Sequence, residues 1–276
     1  MCSRSMTKVV ARDGHRLMVQ TYWSGGNPDE ATHQIFHVHG GGFSSGTDVY
    51  GENMCVLLSK AKPGESIVYG LNFRKNRGAD KALEDIIDVV NHFKTKGCTV
   101  YLSGGSSGGW FAMMAACNRC EEVEVDGVMV FCPVLYPVER ARWLTACAAR
   151  IGHAALPGNL YTVDDEVLCA SPKKATKVLG LQNDFFGDTT PEKICFPAPC
   201  ETLLVASGQD ANVPPYLQVR AMPHMTTTVM YGNLNHQLQE AKNLSGEDEM
   251  AIRQQVVGFM ERCARTRWLL ETNSGV

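Results

Sequence analysis

Seven short runs rich in β-branched and aromatic residues recur along this chain, at 16–22, 34–38, 66–71, 99–102, 127–131, 202–206 and 227–231. Several are apolar throughout, which a strand requires when both of its faces are covered. Helical patterns fill gaps between them. Leu83, Ile86, Ile87, Val90 and Phe93 recur at three- and four-residue steps, which predicts an amphipathic helix over 80–96 with Gly97 as its stop. Ile252, Val256, Phe259, Met260 and Cys263 mark a second such helix near the end of the chain. Strands alternating with helices predict an α/β fold with a mostly parallel central sheet flanked by helices.

At 276 residues the chain is long enough for one large domain of that class, expected to span 1–276. The alternation breaks between 133 and 199. An alanine-rich helical piece around 143–155 is followed by turn signals at Pro157-Gly158, Ser171-Pro172, Phe186-Gly187 and Thr190-Pro191. This stretch is expected to be a cap or lid insertion, with Trp143, Phe185 and Phe186 as pocket walls or as plain packing residues.

The formal net charge is −3, and no cluster of Lys or Arg persists along the sequence, so a nucleic-acid partner has no electrostatic support. Nowhere do eighteen apolar residues run together, and no integral membrane segment is expected. Eleven cysteines are scattered without framework spacing, which fits reduced thiols and a cytoplasmic location. Cys117 and Cys120 form a C-x-x-C without a second pair, so neither a metal nor any other cofactor is expected. The sequon Asn243-Leu244-Ser245 is idle in that compartment.

Chemistry is signalled first by Gly104-Gly105-Ser106-Ser107-Gly108-Gly109. A nucleophilic serine on a sharp strand-to-helix turn needs small neighbours two residues to either side. Gly104 and Gly108 serve Ser106, and Gly105 and Gly109 serve Ser107, so two registers are open. The run His39-Gly40-Gly41-Gly42, directly after a β-rich stretch, brings bare backbone N–H groups where an oxyanion could be bound. Asp210 follows another apolar run, where it is either a carboxylate that orients a histidine or an ordinary turn residue. His236 follows the last run and suits a general base. The order Ser106, Asp210, His236 puts each residue at the carboxyl end of its own strand, and parallel strands share that edge. His224 is the serious rival, but it precedes the last strand; His15, His33, His92 and His153 lie early, in a helix or in the insertion.

With H-G-G-G at 39–42 and G-x-S-x-G-G at 104–109, the chain resembles the α/β-hydrolase superfamily, in particular the carboxylesterases related to hormone-sensitive lipase. The likeness covers roughly 34–260, and Leu71-Asn72-Phe73-Arg74, Ala82-Leu83-Glu84-Asp85, Ser171-Pro172 and 197–204 also look like that branch. It implies an insertion between strands 6 and 7 of that fold. It also selects Ser106 as the nucleophile, because the branch carries its glycine pair at the second and third positions after the serine, here Gly108 and Gly109. Two features depart from the branch: with about thirty residues ahead of the strand before His39, its N-terminal helical cap is expected to be largely missing, and Ala211-Asn212-Val213-Pro214 replaces its usual continuation after the aspartate. The function implied is cleavage of a small carboxylic ester through an acyl-enzyme, with Ser106, Asp210 and His236 as the triad. Gly40, Gly41, Gly42 and Ser107 would line the oxyanion hole, and no cofactor is needed. Amide or formamide hydrolysis and a non-catalytic ligand-binding role are the alternatives.

Overall fold

A computed structural model describes residues 2–43, 46, 51–75, 77–140 and 193–273. Strands β1 (Cys2–Val10), β2 (Arg16–Ser24), β3 (His33–Val38), β4 (Ser66–Leu71), β5 (Thr99–Gly105), β6 (Gly127–Phe131), β7 (Glu201–Ser207) and β8 (Thr227–Tyr231) build one sheet. Their order is β1-β2-β4-β3-β5-β6-β7-β8. The first two pairings, β1 with β2 and β2 with β4, are antiparallel, and every later one is parallel. All seven expected strands are present, and β2, β3, β5 and β7 run slightly longer than their apolar signals.

β1 has no counterpart among those expected strands. It is an edge strand that pairs with β2 alone, and most of it is exposed; Val9 is its one buried residue. With so little to bury it carries no apolar pattern, and Arg4 and Lys8 keep the open edge from recruiting another strand.

Helices α1 (Glu52–Ser59), α2 (Ala79–Phe93), α3 (Ser107–Asn118), α4 (Pro215–Ala221) and α5 (Gly246–Asn273) complete the regular structure discussed below. Successive strand residues point to opposite faces, and the core divides accordingly. Phe36, Val38, Leu102, Val128, Val130 and Leu204 pack with α2 and α3, whereas Ile35, Val68, Tyr101, Met129 and Val205 pack with α1 and α5. Helix α3 is apolar all round because it lies buried above the sheet centre. On the other face, a Cβ at Gly127 would stand 2.8 Å from both Phe259 and Cys263, so α5 can approach β6 only because that strand opens on glycine.

Helix α2 ends at Phe93, earlier than the expected 96. The stop comes from β3 and not from Gly97: the Gln34 side-chain amide donates to the Phe93 carbonyl at 2.9 Å, and its oxygen accepts the Thr95 N–H at 2.8 Å. Ahead of the helix, Arg74 grips the fully buried Asp85 in its middle turns through Nε and Nη2, with Nε–Oδ2 at 2.9 Å, and reaches Asp13 at 2.6 Å. Burial opposes the charge of that guanidinium, but the bond to Asp85 outweighs it and holds the group above its ordinary range. The β4–α2 connection and the β1–β2 turn are thereby tied together.

The stretch between β6 and β7 is described only at 132–140 and 193–200, so Trp143, His153, Phe185 and Phe186 lie outside the described residues. No helix of the described residues is long and apolar enough to cross a membrane.

Candidate active site

The sheet's strand order turns back between β3 and β5, and the carboxyl ends of neighbouring strands there leave a crevice. The loop at 39–43 leaves β3 on one side of it, and β5 runs into Ser106 on the other. Ser106 has φ 52° and ψ −120°, a left-handed backbone that a non-glycine residue adopts only when its surroundings force it. The forcing is visible in the glycines. A Cβ at Gly108 would collide with the Val38 carbonyl and one at Gly104 with the Gly108 carbonyl, while one at Gly109 would come within 2.6 Å of Pro133. The Ser106 N–H donates to the Phe131 carbonyl at 3.0 Å, and the Ser106 carbonyl accepts the Val134 N–H at 2.9 Å. The turn is thus pinned to the end of β6.

Ser106 Oγ lies 3.0 Å from His236 Nε2, and His236 Nδ1 lies 2.8 Å from Asp210 Oδ2. The three residues are 2%, 4% and 3% exposed, so water does not compete for these bonds. Ser107 is the first residue of α3, with the strained φ one position before it. The other expected sites fall around this line. Gly40 packs on the elbow, since a Cβ there would lie 3.2 Å from both Ser106 Cβ and the Gly105 carbonyl. Gly41 and Gly42 follow with φ 128° and 62°, and Phe43 continues at 73°, its ring buried against Trp110 and Phe111. His224 is elsewhere, stacked on Phe196 at 4.7 Å.

Asp210 is a turn residue and the partner of a histidine at once. Its Oδ1 accepts the N–H groups of Asn212 and Val213, both at 2.8 Å, in the local pattern typical of aspartate in turns. Its Oδ2 takes His236 and also the Gln218 side-chain amide at 3.1 Å. Gln218 and Cys132 are site residues absent from the sequence reading. Cys132 follows β6 at φ 44° and touches Asp210; burial first, and the neighbouring carboxylate second, push its thiol well above the ordinary range. No motif announces either residue, because each acts on Asp210 from a different element. Beneath the loop, His37 Nδ1 lies 3.0 Å from Ser103 Oγ, and burial pulls its imidazole down to about 3, with His39 adding to the effect.

A hydroxyl, an imidazole and a buried carboxylate in one hydrogen-bonded line can move a proton off the hydroxyl as it attacks an electrophile. Among the described residues no group of His, Cys, Asp and Glu is placed to hold a metal ion.

No family model and no curated protein matches the chain. Solved structures do share its architecture. An esterase from Pyrobaculum calidifontis is 16% identical over 95% of this chain and 86% of its own, with a TM-score of 0.63. Brefeldin A esterase, a bacterial homologue of human hormone-sensitive lipase, is 16% identical over 96% and 78%, with a TM-score of 0.62. The chain has the α/β-hydrolase fold. A protein of unknown function from Staphylococcus aureus subsp. aureus Mu50 shares this α/β-hydrolase architecture over 94% of this chain and 99% of its own, at 15% identity and a TM-score of 0.68. At these identities the likeness is one of fold.

Proposed function

We propose that this protein is a serine hydrolase that cleaves small carboxylic esters through an acyl-enzyme, in the manner of the hormone-sensitive-lipase branch. The observation that carries the reading is the buried line from Ser106 through His236 to Asp210, with contacts of 3.0 and 2.8 Å. His236 Nε2 takes the proton of Ser106 Oγ as the oxygen bonds to the ester carbonyl carbon. The negative oxygen of the tetrahedral intermediate would be held by backbone N–H groups from 40–42 and by that of Ser107. The Ser107 N–H is the first of α3 and has no acceptor within its helix. The imidazolium then gives its proton to the leaving alcohol. Water, deprotonated by the same imidazole, attacks the acyl-serine and frees the acid. Asp210 keeps Nδ1 protonated and steadies the imidazolium between the two half-reactions.

The named esterases that share the fold support an ester as the substrate class. The nine described cysteines, all free thiols, support a cytoplasmic location, and the reading requires no cofactor. The test is a panel of p-nitrophenyl esters graded by acyl length, with an aryl formamide as competitor. Short esters are expected to turn over fastest. Ser106→Ala should lower kcat on the order of 10⁶-fold, whereas Ser107→Ala keeps its backbone N–H and should stay close to wild type. Preferred cleavage of the formamide would move the protein to amide chemistry, and a loss confined to Ser107→Ala would move the nucleophile.

A further inference from the structure

Gln218 stands on α4, eight residues beyond Asp210, and is 1% exposed. Its side-chain amide makes three bonds. Nε2 donates to Asp210 Oδ2 at 3.1 Å and to the Val213 carbonyl at 2.9 Å, and Oε1 accepts the Ser207 N–H at 3.2 Å. These partners fix which end of the amide is which, because a flipped group would set its oxygen against a carboxylate and a carbonyl and its nitrogen against an N–H. One side chain thus ties the end of β7 to the far side of the turn that carries Asp210. It also helps to fill the carboxylate, whose two oxygens offer about four lone-pair sites and accept from Asn212, Val213, His236 and Gln218, with the Cys132 thiol beside them.

Resting on the ester-hydrolase reading above, we propose that Gln218 is a positioning residue that governs how Asp210 holds His236. Its amide fixes the rotation of the carboxylate, so that Oδ2 stays in line with Nδ1 through both half-reactions. Its positive end also draws on the same oxygen that faces the imidazole, which moderates the negative field at the base. A carboxyl group at position 218 cannot do either: when ionised it donates nothing and adds a second negative charge beside Asp210, and when protonated it supplies one donor where two are needed. An apolar side chain of the same length removes the amide donor from Oδ2, so that the carboxylate is held by His236 and by the two N–H bonds to Oδ1 without the brace from α4.

Ionisable groups stand on α4 itself and on the elements packed against this pair. Arg220 stands on α4 itself, 3.4 Å from Glu139; Cys132 lies beside Asp210 at the end of β6, and Arg140 Nε donates to the Asn212 carbonyl at 2.7 Å. None is substituted in either variant, and Gln218→Met adds no charge, so the two pH profiles together separate the added charge from the lost amide.

The experiment compares wild type, Gln218→Met and Gln218→Glu on p-nitrophenyl acetate from about pH 5 to 9, with rates taken per serine labelled by a fluorophosphonate, so that loss of folded protein drops out. Gln218→Met is expected to lower kcat about 10- to 100-fold, the scale of a small misalignment of a reacting group, with KM within about twofold. Gln218→Glu should in addition move the acidic limb of kcat/KM upward by about one pH unit, because added negative charge favours the protonated base. As a readout without turnover, the downfield proton resonance of the His236 Nδ1–H should shift in both variants. If both variants keep the wild-type kcat, acidic limb and resonance, Gln218 is a packing residue and the inference falls. If wild type itself neither labels nor hydrolyses the ester, the function reading falls instead.

Discussion

The elbow between β5 and α3 and the loop after β7 meet across one imidazole, and they are held by opposite means. At the elbow, side chains are excluded. Gly104, Gly108 and Gly109 leave room for backbone to press on backbone, and that pressure holds Ser106 in its left-handed turn. At the Asp210 loop, side chains do the holding, with Gln218 bridging Ser207 and Val213 from inside and Cys132 packed beside the carboxylate. A region built on excluded side chains fails by overpacking, and it takes stability with it. A region built on side-chain bonds can lose its alignment while its backbone stays put, and it takes rate.

The larger of the two effects that separate these regions tests the second half of that contrast. Asp210→Asn preserves the size of the group but lets the imidazole adopt the wrong tautomer, so kcat should fall by about 10⁴ with little change in Tm, as checked by steady-state kinetics and calorimetry. An equally large fall in Tm would show that the loop needs its charge in order to fold. Gly108→Ala tests the first half. The added methyl meets the Val38 carbonyl, and overpacking of that kind costs about 3 kcal/mol, or roughly 10 °C in Tm for a chain of this size, measured by thermal unfolding. A variant with wild-type Tm would mean that the elbow has slack.

A smaller effect is expected under acid, from the buried histidines of β3. His37 pairs across the sheet with Ser103 in β5, and its imidazole is pulled from 6.5 to about 3 by burial. The folded state holds this group neutral while the unfolded chain protonates it, so stability is complete above about pH 6.5 and is lost as pH falls toward 3. At about pH 5 the loss from His37 is about 2 kcal/mol. His33, pulled to about 4 by burial, adds in the same direction. Urea unfolding at about pH 7 and 5 should show His37→Asn losing less stability than wild type over that interval. An unchanged difference would place the acid sensitivity elsewhere.

The same contrast explains what could be read from the sequence. Exclusion of side chains writes itself as glycines at fixed spacing, so the elbow and the 39–42 run were legible, and the buried strands were legible as apolar runs. The choice between Ser106 and Ser107 is not settled by spacing, since both are glycine-flanked; a likeness to a family selects Ser106, and in the structure a Cβ at Gly108 or Gly109 would meet Val38 or Pro133. Gln218 and Cys132 were illegible because a bond between elements leaves no local pattern. For the same reason α2 ends on a side chain from β3, and Gly97 gave a false stop. β1 escaped because an edge strand with one buried residue needs no apolar periodicity.

The central claim is that Ser106 is a nucleophile activated by His236. The most direct measurement is labelling of the folded protein with a fluorophosphonate, followed by peptide mass analysis of wild type, Ser106→Ala and Ser107→Ala. The account predicts one label per chain on Ser106 in wild type and in Ser107→Ala, and none in Ser106→Ala. A label on Ser107, or folded wild-type protein that takes no label, would contradict it.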